Sequence, residues 1–250
     1  MLRTGQNRST NPCDYQDVDR AVAAMAKEFA SGTSTLAHSH RRGQLLHAVK
    51  GIMMARTADG AWIVPPRHAL WIPPRTVHSV EMRAAVAMRT VYIREGEARE
   101  IPASCKVIAV SPLLREAILA LMEEPVLYAE DGRGGALAKL VVDEIARAAA
   151  AEFELPLPAN KRLGAICEAL IEDPSLALDI DGWADRAGLS RRTLTRKFRE
   201  ETGLSFGTWR RRLRALSAAA HLSEGASPHA AARKAGYRSA SALMSMMRRA

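Results

Sequence analysis

Two glycine turns, each followed by a serine and a new helix, constrain the C-terminal part of this chain more than any other feature. The first reads Ile180-Asp181-Gly182-Trp183-Ala184-Asp185-Arg186-Ala187-Gly188-Leu189-Ser190. The second opens at Ser227-Pro228, turns at Gly236 and restarts at Ser239. Glycine takes the positive φ that a tight turn between helices requires. A serine shortly after it accepts hydrogen bonds from the free amides at the start of the next helix. The pattern predicts a short helix from Ile180, one over about Arg191–Glu201, a long one over Phe206–Ser223, one from Pro228 and a last one over Ala240–Arg249. Before them, Leu163, Ile166, Cys167, Leu170 and Ile171 share one face of a helix that starts after Asn160 and ends at Pro174.

The faces of these helices differ in chemistry. Leu194 and Phe198 are four apart and point inward, while Arg191, Arg192, Thr195, Arg196 and Arg199 fall mainly elsewhere. In the long helix the inward line is Trp209, Leu213, Leu216 and Ala220, and Arg210, Arg211, Arg212 and Arg214 lie on other faces, which suits a spacer between two units. Residues 156–250 hold 17 Lys+Arg against 9 Asp+Glu, whereas residues 1–155 hold 19 against 18. The excess of the whole chain, +9, is therefore concentrated in the helical part. A basic region beside a neutral one points to a polyanion, because neutralising phosphates releases counterions. Arginine can bond guanine edges or phosphates, and threonine can touch a base methyl. The candidate contacts with double-stranded DNA are Arg191, Arg192, Thr195 and Arg196 in the first unit, and Arg238, Ser239, Ser241 and Ser245 in the second. A basic helix face with no partner is the alternative.

The N-terminal part has another texture. A helix is expected near Asp17–Phe29. Short apolar runs then follow at Gln44–Val49, Ala61–Val64, Ala69–Ile72, Val86–Ile93 and Val107–Val110, separated by Gly, Pro and Asp-Gly turns. This is the pattern of a β-sandwich or barrel, with Asp59-Gly60 as a hairpin turn. Ser111-Pro112 reads as the N-cap and first residue of a helix through about Glu123. Residues 131–135 form a loop, a second helix runs to about Ala151, and Leu155-Pro156-Leu157-Pro158 is a linker. No apolar run reaches the roughly 18–20 residues of a membrane span. Met1–Arg8 has no apolar core behind its charges, so a secretory signal is not expected. Cys13, Cys105 and Cys167 are odd in number and far apart, which fits a reducing cytoplasm rather than a disulfide framework. The expected fold class is thus α+β multidomain. It comprises a β-barrel domain over 1–110, a helical linker and dimerisation region over 111–155, and an all-α domain with two helix-turn-helix units over 156–250.

Residues 160–250 resemble the DNA-binding domain of the AraC/XylS family of transcription regulators. The resemblance rests on Trp183-Ala184, Gly188–Phe198, Glu201–Phe206, Trp209-Arg210, Arg212-Leu213-Arg214 and Ala235–Ser241. It implies two recognition helices that enter successive major-groove segments. The last helix carries Leu243 and Met247 where the family usually has phenylalanine. The chain stops at Ala250, where members usually continue with a glycine-containing turn and a short helix, so the resemblance supports the second unit less fully than the first.

A second resemblance lies in residues 35–95. His38-x-His40, three residues, Gln44, six residues and Gly51 is similar to the first motif of the cupin barrel. Pro73-Pro74-Arg75-Thr76-Val77-His78 is similar to the second, with Arg75 in place of its glycine. On a strand, His38 and His40 project from one face, and His78 on a paired strand could complete a three-imidazole site with Gln44 as a weaker fourth ligand. Such a set suits a divalent transition metal. The alternative is inherited barrel architecture that lines a pocket for an organic effector. His47 lies on the opposite face and is left out. Trp62, Trp71 and Met53 are pocket walls or core. With Gln44-Leu45-Leu46, the pattern also resembles regulators of small-molecule efflux pumps, including the nitroimidazole-resistance type. The implied function is a sequence-specific transcription regulator responding to a small molecule or metal. Its implied partners are double-stranded DNA, the effector, a second copy of the chain and RNA polymerase. Two rivals remain: a metal-dependent cupin enzyme, which would need a positioned acid or base, and a regulator whose barrel only dimerises.

Overall fold

The computed structural model describes residues 8–58, 60–65, 67–82, 85–150, 154–223 and 225–247. The strands are β1 (Val22–Phe29), β2 (Gly43–Lys50), β3 (Met53–Arg56), β4 (Gly60–Val64), β5 (His68–Ile72), β6 (Ser79–Met82), β7 (Val86–Ile93), β8 (Lys106–Ala109) and β9 (Glu154–Pro156). The helices are α1 (Pro112–Glu123), α2 (Arg133–Arg147), α3 (Lys161–Glu172), α4 (Ile180–Arg186), α5 (Arg191–Thr202), α6 (Phe206–Ser223), α7 (Pro228–Lys234) and α8 (Ala240–Met247). The contacts divide the chain into a β-rich unit, residues 1–58 with 64–154, and a helical unit, residues 59–63 with 155–250.

In the β-rich unit a five-stranded sheet runs in the order β1-β7-β2-β5-β8. Antiparallel registers place Met25 opposite Thr90, Gln44 opposite Tyr92 and Leu46 opposite Thr90. β3 pairs with β6, Met53 opposite Met82. Because side chains alternate along a strand, the five-stranded sheet has two apolar faces. One carries Val22, Ala24, Leu45, Trp71, Val91 and Ile93 and packs against α1 and α2 through Leu114, Ile118, Leu121, Val141 and Ile145. The other faces inward and carries Met25, Gln44, Leu46, Met88 and Tyr92.

Three local expectations are corrected here. Residues 22–29 form a strand, not part of a helix. Alanine, methionine, lysine and glutamate favour helix as isolated residues, but pairing along the whole of β7 and burial on both faces override that preference. The helix α2 begins at Arg133, inside the expected loop, and ends at Arg147. Gly134 and Gly135 are helical because any Cβ there would strike Tyr128 or the Glu130 carbonyl, at 2.3 and 1.8 Å. At the other end Ala148 is extended, and Ala150 makes a bridge to Ile108. Leu155 and Pro156 of the expected linker belong to strand β9, Glu154–Pro156. The turn at Asp59-Gly60 involves Asp59, which lies outside the described residues.

The helical unit follows its capping signals. Asn160 caps α3, Asp179 caps α4, Ser190 caps α5 and Ser227 caps α7, each accepting from an amide of its helix. Ser239 accepts from the Ala242 amide at the start of α8, at 3.1 Å. Leu194, Phe198, Phe206, Trp209 and Leu213 are buried. The ring of Phe198 meets Phe206 and Trp209 edge-on, at 5.4 and 6.0 Å. Fully burying Leu194 and Phe198 contributes roughly 2–3 kcal/mol each, which anchors α5 through one face.

Candidate DNA interface and effector cavity

The two glycine turns are built alike. The Leu189 amide donates to the Ala184 carbonyl at 2.9 Å, and the Tyr237 amide to the Ala232 carbonyl at 2.8 Å. Gly188 and Gly236 adopt φ of +62° and +77° between them. Each pair is the same six-to-one closure of a helix end. α4–α5 and α7–α8 are therefore two copies of one turn geometry, a helix-turn-helix.

The expected contact residues of the first copy lie on α5 and are exposed: Arg191, Arg192, Thr195 and Arg196. Arg191 pairs with Asp181 at 3.1 Å, and Arg196 grips both oxygens of Glu200 at 2.8 Å. Exposed pairs like these contribute about 0.2–1 kcal/mol, so a phosphate or guanine can displace them. The Thr195 hydroxyl donates back to the Arg191 carbonyl at 2.6 Å, which leaves its methyl to meet a partner. In the second copy Arg238, Ser239 and Ser241 are exposed and Ser245 is half-buried. Leu243 is fully buried against Ala218, Ala231, Ala232 and Ala235, so it fills its place in the core. Met247 and Ala220 have side chains outside those described, as do Arg248 and Arg249. In α6, Arg210 donates to the Leu178 carbonyl at 2.7 Å and to Leu176, and Arg214 to Pro174 at 3.0 Å. These two arginines brace the loop after α3 rather than standing free, a role that helical spacing alone did not reveal.

In the β-rich unit, His38, His40 and His78 converge. One ligand atom of each lies within 4.8 Å of the others. His38 and His78 form an isolated antiparallel bridge, with amide–carbonyl bonds of 2.9 and 2.8 Å in the two directions. His38 and His40 thus sit in irregular chain held by that bridge, not in a regular strand. The Arg75 amide donates to the His40 carbonyl at 2.7 Å, and Arg75 itself takes φ +62°. Arginine here keeps the left-handed turn for which the cupin motif uses glycine, at a strain of roughly 1–2 kcal/mol.

The imidazoles are oriented through their Nδ1 atoms. His38 Nδ1 lies 2.7 Å from the Leu36 carbonyl and His78 Nδ1 2.9 Å from that of Thr76. Since a carbonyl only accepts, each of these two Nδ1 atoms carries a proton, and Nε2 is the atom left to face the cluster. Nε2 of His40, Nε2 of His78 and Oε1 of Gln44 are buried with no hydrogen-bond partner in the protein. Gln44 Nε2 donates to Thr90 Oγ1 at 3.1 Å, which fixes Oε1 toward the opposite side. Burial, and then the neighbouring His38 and His78, push the His40 imidazole down to about 4, and burial also lowers His78. Both rings are therefore neutral at pH 7, the form a metal requires. Buried, unpartnered imidazole nitrogens beside an unpartnered amide oxygen fit a metal ion.

The cavity these groups share is about 50 Å³. Its walls also include Met25, Met82, Met88, Phe29, Leu46 and Tyr92. The turn Pro12–Tyr15 covers one side, with Tyr15 stacked on Tyr92 at 6.1 Å. The buried Arg42 guanidinium, bonded to the Gln16, Val18 and Arg20 carbonyls, ties down the segment behind that turn. The methionines and Tyr92 escaped the sequence reading, although period-two spacing marks them: His78, Val80, Met82 on one strand edge and Met88, Thr90, Tyr92 on β7. Trp71 is core instead, packed among the residues between sheet and helices with its Nε1 donating to Pro102. Trp62 and Met53 are buried but are not walls of this cavity. His47 points to the other face, its Nδ1 at 2.9 Å from the His68 carbonyl.

Comparison with known proteins finds relatives of both regions. A family profile described as a helix-turn-helix domain covers residues 183–250, and one described as an AraC-like ligand binding domain covers 30–155. The HTH-type transcriptional regulator NimR of Escherichia coli (strain K12) is 30% identical over 238 residues, spanning 94% of this chain and 87% of its own. The HTH-type transcriptional regulator RipA of Corynebacterium glutamicum is 34% identical over 94 residues, 38% of this chain and 28% of its own. Among solved structures, fatty-acid-bound ToxT from Vibrio cholerae aligns over 93% of this chain and 92% of its own at 9% identity, with a TM-score of 0.37. The DNA-binding domain of AdpA in complex with a target DNA aligns over 36% and 82% at 32% identity, with a TM-score of 0.35. This chain belongs to the AraC-type family of DNA-binding transcription regulators, with a cupin-like ligand-binding domain ahead of its helix-turn-helix region.

Proposed function

We propose that this regulator reads a transition-metal ion through its β-rich domain and changes its hold on DNA accordingly. The observation that carries the reading is the set of unpartnered Nε2 and Oε1 atoms of His40, His78 and Gln44, facing one small cavity with His38. A space of about 50 Å³ suits an ion with a water or two. Drug-sized ligands occupy roughly 300–1,000 Å³. His38, His40 and His78 would hold the ion, with Gln44 as a fourth, weaker ligand. The metal supplies a fixed positive charge and a rigid cross-link between the 38–44 segment and the loop before β6. It can regulate only by binding two states of the protein unequally, and ~1–3 kcal/mol of coupling suffices.

In this reading residues 1–110 sense, residues 111–155 link the two functions and meet a second copy of the chain, and residues 156–250 read DNA. Arg191, Arg192, Thr195 and Arg196 contact the first groove segment, and Arg238, Ser239, Ser241 and Ser245 the second. The protein works in the cytoplasm as a homodimer, in reach of RNA polymerase. Control of an efflux gene rests on sequence resemblance alone. Catalysis is no part of the reading, which rests on the match to DNA-binding transcription regulators. A second reading has its own observation: a groove of about 620 Å³ runs beside Val22, Tyr128, Ala138 and Val142, large enough for an organic effector.

The test is DNA binding at several salt concentrations, on the intergenic region beside the native gene and on random DNA, with Zn(II) or with a chelator. Preference for the native fragment that shifts with Zn(II), and no longer shifts after His38→Ala, is the expected result. Native-fragment preference that ignores metal in wild type would discard the metal as effector and direct attention to the groove.

A further inference from the structure

Resting on the metal-binding reading above, we propose that the ion this cavity selects is copper in its +1 state, held by imidazole and thioether together. Three methionines, Met25 on β1, Met82 on β6 and Met88 on β7, share its wall with the three histidines. Their positions follow from strand register. His78, Val80 and Met82 are two apart and project to one side of the chain, so Met82 extends the face that His78 begins. Met25 stands opposite Thr90, and Met88 is the next residue on that same face of β7. Leucine would fill an apolar wall as well as methionine does. Methionine adds a sulfur on three rotatable bonds, able to swing onto an ion. Thioether sulfur is a soft donor that favours Cu(I) over the harder divalent ions.

Charge points the same way. Among the described residues the walls contain neither a carboxylate nor a cysteine, and they include a basic side chain, Lys27. No acidic group among the described walls therefore offsets the charge of the ion. Uncompensated charge weighs more on a dication than on a monocation, which shifts the balance toward Cu(I), although three neutral imidazoles alone also hold Zn(II). The cysteines do not contribute: Cys13 is exposed, Cys105 is half-buried, Cys167 is in the helical unit, and none is among the cavity walls.

The experiment offers Cu(I) to the full chain under anaerobic, reducing conditions, in competition with a chromogenic Cu(I) chelator, with Zn(II) titrated in parallel. Cys13→Ser and Cys105→Ser are present throughout to remove competing accessible thiols. Met25, Met82 and Met88 are changed together to leucine, a swap that conserves volume. The expected result is that Cu(I) affinity falls about tenfold or more while Zn(II) affinity stays within about threefold, as for loss of ligands only one ion uses. X-ray absorption of the Cu(I) form should lose its sulfur scattering in the same variant. Unchanged Cu(I) affinity, or equal loss of both metals, overturns the thioether assignment, as does a wild type that takes Zn(II) and refuses Cu(I). In those cases the three-imidazole reading stands. A wild type that binds neither ion overturns that reading itself.

Discussion

Gln44→Leu separates a metal site from inert barrel architecture, because the two readings assign opposite value to the amide. Gln44 is 4% exposed; its Nε2 bonds Thr90 Oγ1 at 3.1 Å and, more weakly, the Tyr92 hydroxyl at 3.4 Å, while its Oε1 has no partner in the protein. A neutral hydrogen bond contributes about 1 kcal/mol net, and an unsatisfied buried acceptor costs about 1–3 kcal/mol. Thr90 keeps its bond to the Leu45 carbonyl at 3.0 Å whatever stands at position 44. Leucine thus forfeits about 1 kcal/mol, removes a penalty of 1–3 and adds buried apolar surface. The metal-free variant should be as stable as wild type or up to about 2 kcal/mol more stable, measured by urea unfolding in chelator. Zn(II) affinity should fall roughly tenfold as the fourth donor disappears. Loss of more than about 1.5 kcal/mol in the metal-free form, with Zn(II) binding untouched, would refute the reasoning, since Gln44 would then be a structural amide whose Oε1 is satisfied.

The reader makes its own predictions. Arg196→Ala should weaken binding to the native DNA by about 1–3 kcal/mol and relax sequence preference, and equal losses on native and random DNA in a binding titration would make it a phosphate contact instead. Glu200→Ala, which frees Arg196 from its exposed partner, should strengthen binding by no more than about 0.5 kcal/mol. The two turn glycines should differ: Gly188→Ala meets nothing closer than Arg162 Nη1 at 3.7 Å, whereas a Cβ at Gly236 would stand 2.8 Å from both Arg214 Nη2 and the Pro174 carbonyl. Backbone strain alone predicts about 1–2 kcal/mol for Gly188→Ala, and the added clash predicts about 2–3 kcal/mol for Gly236→Ala, read from unfolding curves of the full chain.

What the residues revealed in advance depended on how local the cause was. Helix starts at Pro112, Lys161, Arg191 and Pro228 were legible because one cap or one proline decides each of them. The strand Val22–Phe29 was not, because its pairing with Val86–Ile93 is set by a partner about sixty residues away and by helices packed on one face. Its alanines and lysine speak only for themselves, and what they say is helix. Gly134 and Gly135 misled for the same reason. Glycine signals a loop until a tyrosine and a carbonyl from the preceding segment demand the space.

The two functional regions divide along that line. α5 presents arginines on one side because Leu194 and Phe198 bury the other, so its chemistry follows from spacing within a dozen residues. The cavity draws on β1, β2, β6 and β7 and on the chain before β2, and of its donors the histidines and Gln44 lie in recognisable motifs while the methionines do not. The motif names ligands but not their surroundings, and the surroundings decide which ion is bound. Three imidazoles alone are compatible with zinc, copper, nickel or iron. It is the strand register, bringing Met25 and Met88 onto the inner face beside Tyr92, and the absence of a carboxylate among the described walls, that narrow the choice. On the proposal of a metal site, selectivity is a property of the β-sheet, and substitutions at Met25, Met82 and Met88 should change which metal binds without touching a single histidine.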